Sequence, residues 1–97
     1  MLKRENILRF AGGGQHFVIP ISKIAMVRSY ESKSADDRQR HFTEIGLLDV
    51  RVLVITHKWL EDMSRFNVYL HNEMLNNHDE LYSGEERQFD FQNVEVR

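Results

Sequence analysis

The chain has 97 residues, of which 41% are hydrophobic and 29% are charged, and it contains no cysteine. This length holds one domain but not two independent cores, and the composition is that of a globular rather than a disordered chain. The absence of cysteine excludes a disulfide-stapled scaffold and favours a reducing compartment. No apolar run has the length of a membrane span or of a signal-peptide core. We therefore expect one domain over residues 1–97, located in the cytoplasm, with no membrane segment.

Charge is distributed unevenly along the chain. Residues 1–40 carry eight Lys/Arg and four Asp/Glu, a net charge of +4, whereas residues 56–97 carry four and nine, a net charge of −5. One interpretation is a basic surface that binds nucleic acid, and the other is that the two halves neutralise each other on folding. The pI of 6.2 favours the second. If the chain binds nucleic acid, the candidate phosphate contacts are Lys3, Arg4, Arg9, Lys23, Arg28, Lys33, Arg38 and Arg40.

The first part of the chain predicts a β-hairpin. Two apolar runs, Ile7–Ala11 and His16–Ile19, are separated by three consecutive glycines, which suit a tight turn. Pro20 lacks an amide hydrogen and is expected to end the second strand or to bulge there. A turn at 21–24 leads to a third strand over Ala25–Tyr30.

The middle of the chain predicts two further strands. Glu31–Arg40 is almost entirely polar and is predicted to form a mobile exposed loop. His41–Leu48 follows as a strand, with Asp49 in the turn after it. Val50–Ile55 is predicted to be a central strand because its apolar residues do not alternate with polar ones.

The strongest periodic pattern predicts one long amphipathic helix. It is expected to run from Thr56, whose hydroxyl suits the N-cap, to about Asn76, with Ser83-Gly84 as an alternative stop that extends it to about 82. Its apolar residues fall on one arc at 100° per residue. The predicted core or pocket residues on this arc are Trp59, Met63, Phe66 and Leu70.

The last segment, residues 88–96, alternates as a strand if one residue near Asn93 bulges. A strand at a chain end presents an edge that another chain can complete, and the helix carries apolar residues beside its core arc. Both features predict a homodimer. The candidate interface residues are Leu60, Leu75, Tyr82, Phe89 and Phe91.

No motif predicts a catalytic, metal or cofactor site. The glycine triplet is followed by a strand-like run rather than by the Lys-Ser/Thr and helix of a phosphate-binding loop. His57, His71 and His78 share one flank of the predicted helix. However, a spacing of seven residues corresponds to about 10.5 Å, which is too far for one zinc ion. We expect no metal, no cofactor and no enzymatic activity.

The sequence therefore predicts an α+β fold in which a small twisted antiparallel sheet, or a half-open barrel, of four or five strands is packed by one long amphipathic helix. The expected function is that of a non-enzymatic protein-interaction module that self-associates or binds another protein. A nucleic-acid-binding regulator is the first alternative. A protein that binds a small ligand in an apolar pocket between helix and sheet is the second.

Overall fold

The computed structural model describes residues 7–33, 38–75 and 86–97, which form seven strands, one α-helix and one short 3-10 helix. The elements are, in chain order, β1 (Ile7–Gly12), β2 (Gln15–Pro20), the 3-10 helix (Ile21–Lys23), β3 (Ile24–Lys33), β4 (Gln39–Leu47), β5 (Val52–His57), α1 (Leu60–Leu75), β6 (Arg87–Gln88) and β7 (Phe91–Val96).

The strands form two sheets against which α1 packs. One sheet has the order β2-β1-β6 and the other has the order β3-β4-β5-β7. Every pairing is antiparallel except the short parallel contact between β1 and β6. The predicted α+β fold with one helix is confirmed, although the strands divide between two sheets instead of forming one sheet of four or five strands.

The predicted glycine hairpin is confirmed. Gly13 and Gly14 form the turn between β1 and β2 with φ angles of 59° and 76°, in the left-handed region that glycine adopts without strain. Gly12 serves a different purpose, because a Cβ atom there would lie 2.2 Å from the ring of Phe91. The chain therefore needs glycine at this point so that β1 can approach the last strand.

The core lies between the two sheets and the inward face of α1. Phe66 and Leu70 are buried as predicted, with exposed fractions of 0% and 2%, and Met63 is half-buried. The prediction for Trp59 was wrong, because this side chain is 71% exposed. Trp59 precedes the helix, so the helical arc does not extend to it. Tyr69 completes the inward face, and its hydroxyl donates a hydrogen bond to the backbone carbonyl of Arg9.

The predicted start of the helix was also wrong. Thr56 is not an N-cap but a strand residue of β5, where it pairs with Phe42 of β4, and His57 pairs with His41. The helix begins at Leu60, and the carbonyl of Trp59 accepts its first backbone bond from Met63. Pairing with β4, which is remote in sequence, therefore overrides the local capping signal of the threonine. The alternative helix end near residue 82 lies outside the described residues.

The prediction of a loop over Glu31–Arg40 was wrong at both of its ends, while residues 34–37 lie outside the described residues. β3 and β4 continue pairing as far as Lys33 and Gln39. The composition was misleading because the paired residues at these strand ends are exposed, and strand residues that do not pack against the core need no apolar side chains. β5 is central between β4 and β7, as its apolar run predicts.

The C-terminal segment pairs within its own chain. β6 joins β1, and β7 joins β5 with a register shift between Thr56 and His57 that leaves Gln92 as the extra residue. The predicted bulge near Asn93 is therefore confirmed, and it places Phe91 and Val94 together in the core. β5 pairs with one edge of β7, but β7 is the last strand of its sheet in the described part of the chain, so its other edge stays available, as the prediction of a dimer assumed.

The turn between β4 and β5 holds a residue in an unfavourable backbone conformation. Val50 has φ 69°, and its side chain is 90% exposed. Its amide donates to the carbonyl of Leu47, while the amide of Leu47 donates to the carbonyl of Arg51. Glycine or asparagine commonly occupies the left-handed position of such a three-residue turn, because a β-branched side chain is strained there.

We predict that Val50→Asn raises the free energy of unfolding by about 1 kcal/mol, because asparagine tolerates the left-handed region and no packing is lost. Urea denaturation measures the change. Val50→Thr is the matched control, since threonine is also β-branched, and it should leave the free energy unchanged. Equal stability of the asparagine variant and the wild type would contradict the strain at this turn.

We predict that Phe66→Ala lowers the free energy of unfolding by about 3–5 kcal/mol, because it empties a fully buried aromatic site. Trp59→Ala should change it by less than about 0.5 kcal/mol, since the indole is largely exposed. Denaturant midpoints of the two variants test this contrast. Similar losses in both would place Trp59 in the core after all.

Candidate functional site

The outward face of α1 carries an uncharged row of five residues. Leu60, Val68 and Leu75 are 50%, 59% and 53% exposed, and Ser64 and His71 lie exposed between them. At 100° per residue these five side chains span an arc of about 80°, opposite the buried Phe66, Tyr69 and Leu70. A helix face that meets only water normally carries charged residues, so this row is unusual. We call Leu60, Ser64, Val68, His71 and Leu75 the outward row.

The structure separates the predicted interface residues into two groups. Leu60 and Leu75 are exposed on the outward row, so the structure brings them together on one surface. Phe91 is only 4% exposed and Phe89 is half-buried against the core, so their assignment to an interface was wrong. Both rings are used inside the chain, where they stack on each other at 5.7 Å. Tyr82 lies outside the described residues.

A second feature, which the sequence did not predict, is a polar cluster beneath α1 in which Thr43 and His57 are buried and Ser29 is exposed. Nε2 of His57 lies 2.8 Å from Oγ1 of Thr43. The hydroxyls of Thr43 and Ser29 both donate to Oδ1 of Asn67 on the helix, at 3.3 and 2.9 Å. Thr43 and His57 are 0% and 1% exposed. These bonds tie α1 to β3, β4 and β5 through polar atoms.

His57 has one ring nitrogen that finds no partner. Its Nδ1 makes no hydrogen bond with any residue in the described part of the chain. The ring lies between Phe66 and Phe91, with centroid distances of 5.5 and 5.7 Å. Burial lowers the pKa of His57 from 6.5 to about 4, although the nearby Asp62 carboxylate acts in the opposite direction. The imidazole is therefore neutral near pH 7.

A cavity of about 300 Å³ adjoins this histidine, between the start of α1 and the segment that leads into β7. His57, Phe89 and Phe91 contribute aromatic rings to its lining. Its charged lining residues carry both signs, and Asp90 is held by Lys58 at 2.9 Å. The full set of lining residues is His57, Asp62, Arg65, Gln88, Phe89, Asp90 and Phe91.

The face of the four-stranded sheet that points away from α1 carries a separate ion pair. Nε of Arg28 donates to Glu44 at 2.8 Å, and the hydroxyl of Tyr30 donates to the same carboxylate at 2.8 Å. The hydrogen bond from Arg28 holds the pKa of Glu44 below its usual range. Tyr30 stacks on Phe42 at 5.1 Å. Arg28 and both rings thus have partners within the chain, which gives the nucleic-acid alternative no support on this face.

The histidines separated by multiples of seven, which were predicted to share a helix flank, lie in different elements where the structure describes them. His57 belongs to β5, His71 lies on the outward row, and His78 is outside the described residues. Within residues 7–33, 38–75 and 86–97, no group of three or more His, Cys, Asp or Glu side chains is arranged to hold a metal ion.

Comparison with protein-family models, with curated proteins and with solved structures finds no match for this chain. The residues themselves must therefore indicate what the protein does. Among the described residues, no helix combines the length and apolar character needed to cross a membrane.

Sequence reasoning missed the polar cluster because its members are far apart in the chain. Thr43 and His57 are 14 positions apart, and Thr43 and Asn67 are 24 apart. One local signal was present, since Thr43 follows the half-buried Phe42 and alternates with Ile45 on the core face of a predicted strand. A polar residue at a core-facing position of a strand requires a hydrogen-bond partner, which indicates a buried network.

We predict that the free energy of unfolding falls by about 3 kcal/mol as the pH drops from 6.5 to 4. In this window the unfolded chain protonates His57 whereas the folded chain does not. Above this pH range His57 is neutral in both the folded and the unfolded chain, and below it His57 is protonated in both, so its contribution to the slope is confined to this range. Urea denaturation across this range measures the slope.

Two variants separate His57 from other groups. His57→Gln should remove the slope, whereas His71→Gln, at an exposed site, should retain it. Protonation of Glu44 comes at lower pH, because Arg28 holds its pKa down. A slope that is unchanged in His57→Gln would show that another group is responsible.

Proposed function

We propose that this chain is a small non-enzymatic interaction module that self-associates through the outward row of α1. The observation that carries the proposal is the exposure of Leu60, Val68 and Leu75, each at 50% or more, on a helix whose opposite face is already buried. An apolar face that is not used by the core of its own domain indicates contact with a partner. No Asp, Glu, Lys or Arg interrupts the outward row.

The spacing of the outward row favours a second copy of the chain as the partner. Leu60 and Leu75 are equidistant from the point between Asn67 and Val68, and so are Ser64 and His71. Two antiparallel helices related by a two-fold axis at this point would place Leu60 against Leu75 of the second copy. Such an interface uses the same surface twice and closes on itself.

The two polar members of the row fit the same arrangement. In the two-fold pairing each Ser64 faces His71 of the second copy, and a hydroxyl and an imidazole can share a hydrogen bond. Polar pairs within an otherwise apolar helix seam fix register and orientation. The outward row therefore supplies apolar contact near its ends and centre and a specific register between them.

A second apolar surface contains no residue of α1. A groove of about 670 Å³ is lined mainly by apolar side chains from β2, β5, β7 and the turn after β4, including Val18, Leu48 and Val96. It is concave, so it requires a convex partner and does not match itself across a two-fold axis. The outward row is convex and matches its own copy, which is why we assign self-association to the helix.

The contact is small. A helix of 16 residues is about 24 Å long, and a single helix pair covers less than the roughly 800 Å² per partner of a stable interface. We therefore expect a reversible dimer whose population depends on protein concentration. The cytoplasmic location inferred from the lack of cysteine stays a prediction.

We predict that the wild-type chain is dimeric at about 300 µM and that Val68→Glu is monomeric, because two carboxylates would meet near the two-fold axis. Light scattering after size exclusion over a concentration series measures the mass. Val18→Glu is the matched control, since Val18 is also 59% exposed but lies on β2. It should leave the dimer intact.

Two outcomes would contradict this function. A wild-type mass of one chain at every concentration would remove self-association altogether. A dimer that survives Val68→Glu but is lost in Val18→Glu would move the interface to the groove that Val18 lines.

A further inference from the structure

The groove that contains no residue of α1 collects exposed apolar side chains from separate elements. Val18 of β2, Leu48 of the turn after β4 and Val96 of β7 all line it, and they are 59%, 63% and 59% exposed. Single exposed apolar residues are common, whereas several that meet in one concavity mark a binding site. The core residues Ile19 and Leu53 belong to the same lining. The volume of about 670 Å³ lies within the range of small-molecule sites.

The charged residues of the groove leave one cation without a counterion. Nε and Nη2 of Arg51 donate to the carboxylate of Asp49 at 2.8 and 2.5 Å, and this pairing holds the pKa of Asp49 below its usual range. These two charges therefore cancel near pH 7. Lys23 is the third charged lining residue, and its ammonium group forms no ion pair within the described residues. The groove thus combines apolar walls with one net positive charge.

This combination selects an amphipathic ligand with a single negative charge. A cation would be repelled by the ammonium group of Lys23, and a phosphate monoester would bring close to two negative charges where one is uncompensated. The walls are mainly aliphatic, since Phe17 is the one aromatic side chain among the lining residues that the structure describes. An alkyl chain therefore matches the walls better than an aromatic body does.

We propose that this groove binds a straight-chain alkyl carboxylate. Its chain would cover Val18, Leu48 and Val96, and its carboxylate would pair with the ammonium group of Lys23. The carboxylate would stay at the exposed lysine, so that binding removes apolar surface from water without burying a charge. The site shares no residue with the outward row and does not depend on self-association.

The test uses the full chain labelled with ¹⁵N, at a concentration at which light scattering gives the mass of one chain. The two ligands, octanoate and octylammonium, have alkyl chains of equal length and opposite charge. Octanoate is expected to shift the amide resonances of Val18, Leu48 and Val96 saturably, with a Kd of about 1 mM. Octylammonium should bind about tenfold more weakly, because Lys23 attracts one head group and repels the other.

Reversing the charge of the lysine should reverse this preference. Lys23→Glu is expected to bind octylammonium more tightly than octanoate. Arg40→Glu is the matched control, because it makes the same change of charge at the opposite end of β4 from Leu47, at a residue that does not line the groove. It should keep the wild-type preference and change the Kd of octanoate by less than about twofold.

A second pair of variants tests the walls. Val18→Glu should weaken the binding of octanoate about tenfold, because it places a carboxylate where the alkyl chain binds. Val68→Glu makes the same substitution at the same exposed fraction of 59% on α1, and it should bind octanoate like the wild type. The amide spectra report directly whether each variant is folded. This contrast is the opposite of the one expected for the dimer, so the two proposals can fail separately.

Several results would overturn the proposal. Absence of saturable shifts at Val18, Leu48 and Val96 would show that the carboxylate does not bind in the groove. Equal affinity for octylammonium would reduce the site to an apolar surface without selection by charge. A preference for octanoate that survives Lys23→Glu would assign the head group to another residue. Shifts of the same three amides on dilution of the chain without ligand would make a second copy the occupant.

Discussion

Phe66 of α1 contacts three segments of the chain: β1, β5 and residues 89–91. Its ring centroid lies 5.1 Å from Phe10 of β1, 4.9 and 5.1 Å from Phe89 and Phe91, and 5.5 Å from His57 of β5. Three of these contacts have the edge-to-face geometry that aromatic pairs favour. They hold both sheets and the helix around one side chain, and they also explain why position 12 must be glycine, since Phe91 occupies the space of a Cβ atom there.

This arrangement determines what else α1 can do. With Phe66, Tyr69 and Leu70 turned into the core, the apolar residues on the opposite side of the helix have no place inside the domain and remain at the surface. The same packing encloses His57 between two aromatic rings, so its imidazole stays neutral and its Nδ1 has no hydrogen-bond partner among the described residues. One set of core contacts therefore produces both the uncharged outward row on which the proposed function depends and a neutral, buried histidine.

Features with a local cause could be predicted from the sequence. The glycine turn, the strand end at Pro20, the central position of β5 and the bulge beside Asn93 each follow from the chemistry or alternation of neighbouring residues. Features decided by pairing between residues that are far apart in the sequence could not be predicted. Thr56 has the chemistry of an N-cap but is drawn into β5 by pairing with Phe42. The parallel contact of β6 with β1 and the bonds from Thr43 to His57 and Asn67 likewise join residues that no sequence window contains together. Of the candidate site, Leu60 and Leu75 were therefore predictable and the histidine cavity was not.

In the proposed dimer α1 uses two faces, one packed in the core and one in contact with a second copy of the chain. Because the chain contains no cysteine, a single introduced cysteine reports on its own surroundings. Val68 lies beside the proposed two-fold axis, and Val18 on β2 has the same exposed fraction of 59% but lies away from α1. The decisive measurement is the rate at which Val68→Cys and Val18→Cys form interchain disulfides under mild oxidation. Pairing through the outward row predicts that Val68→Cys crosslinks at least about tenfold faster, because association raises the local thiol concentration. Equal rates, or faster crosslinking of Val18→Cys, would contradict a dimer built on this helix.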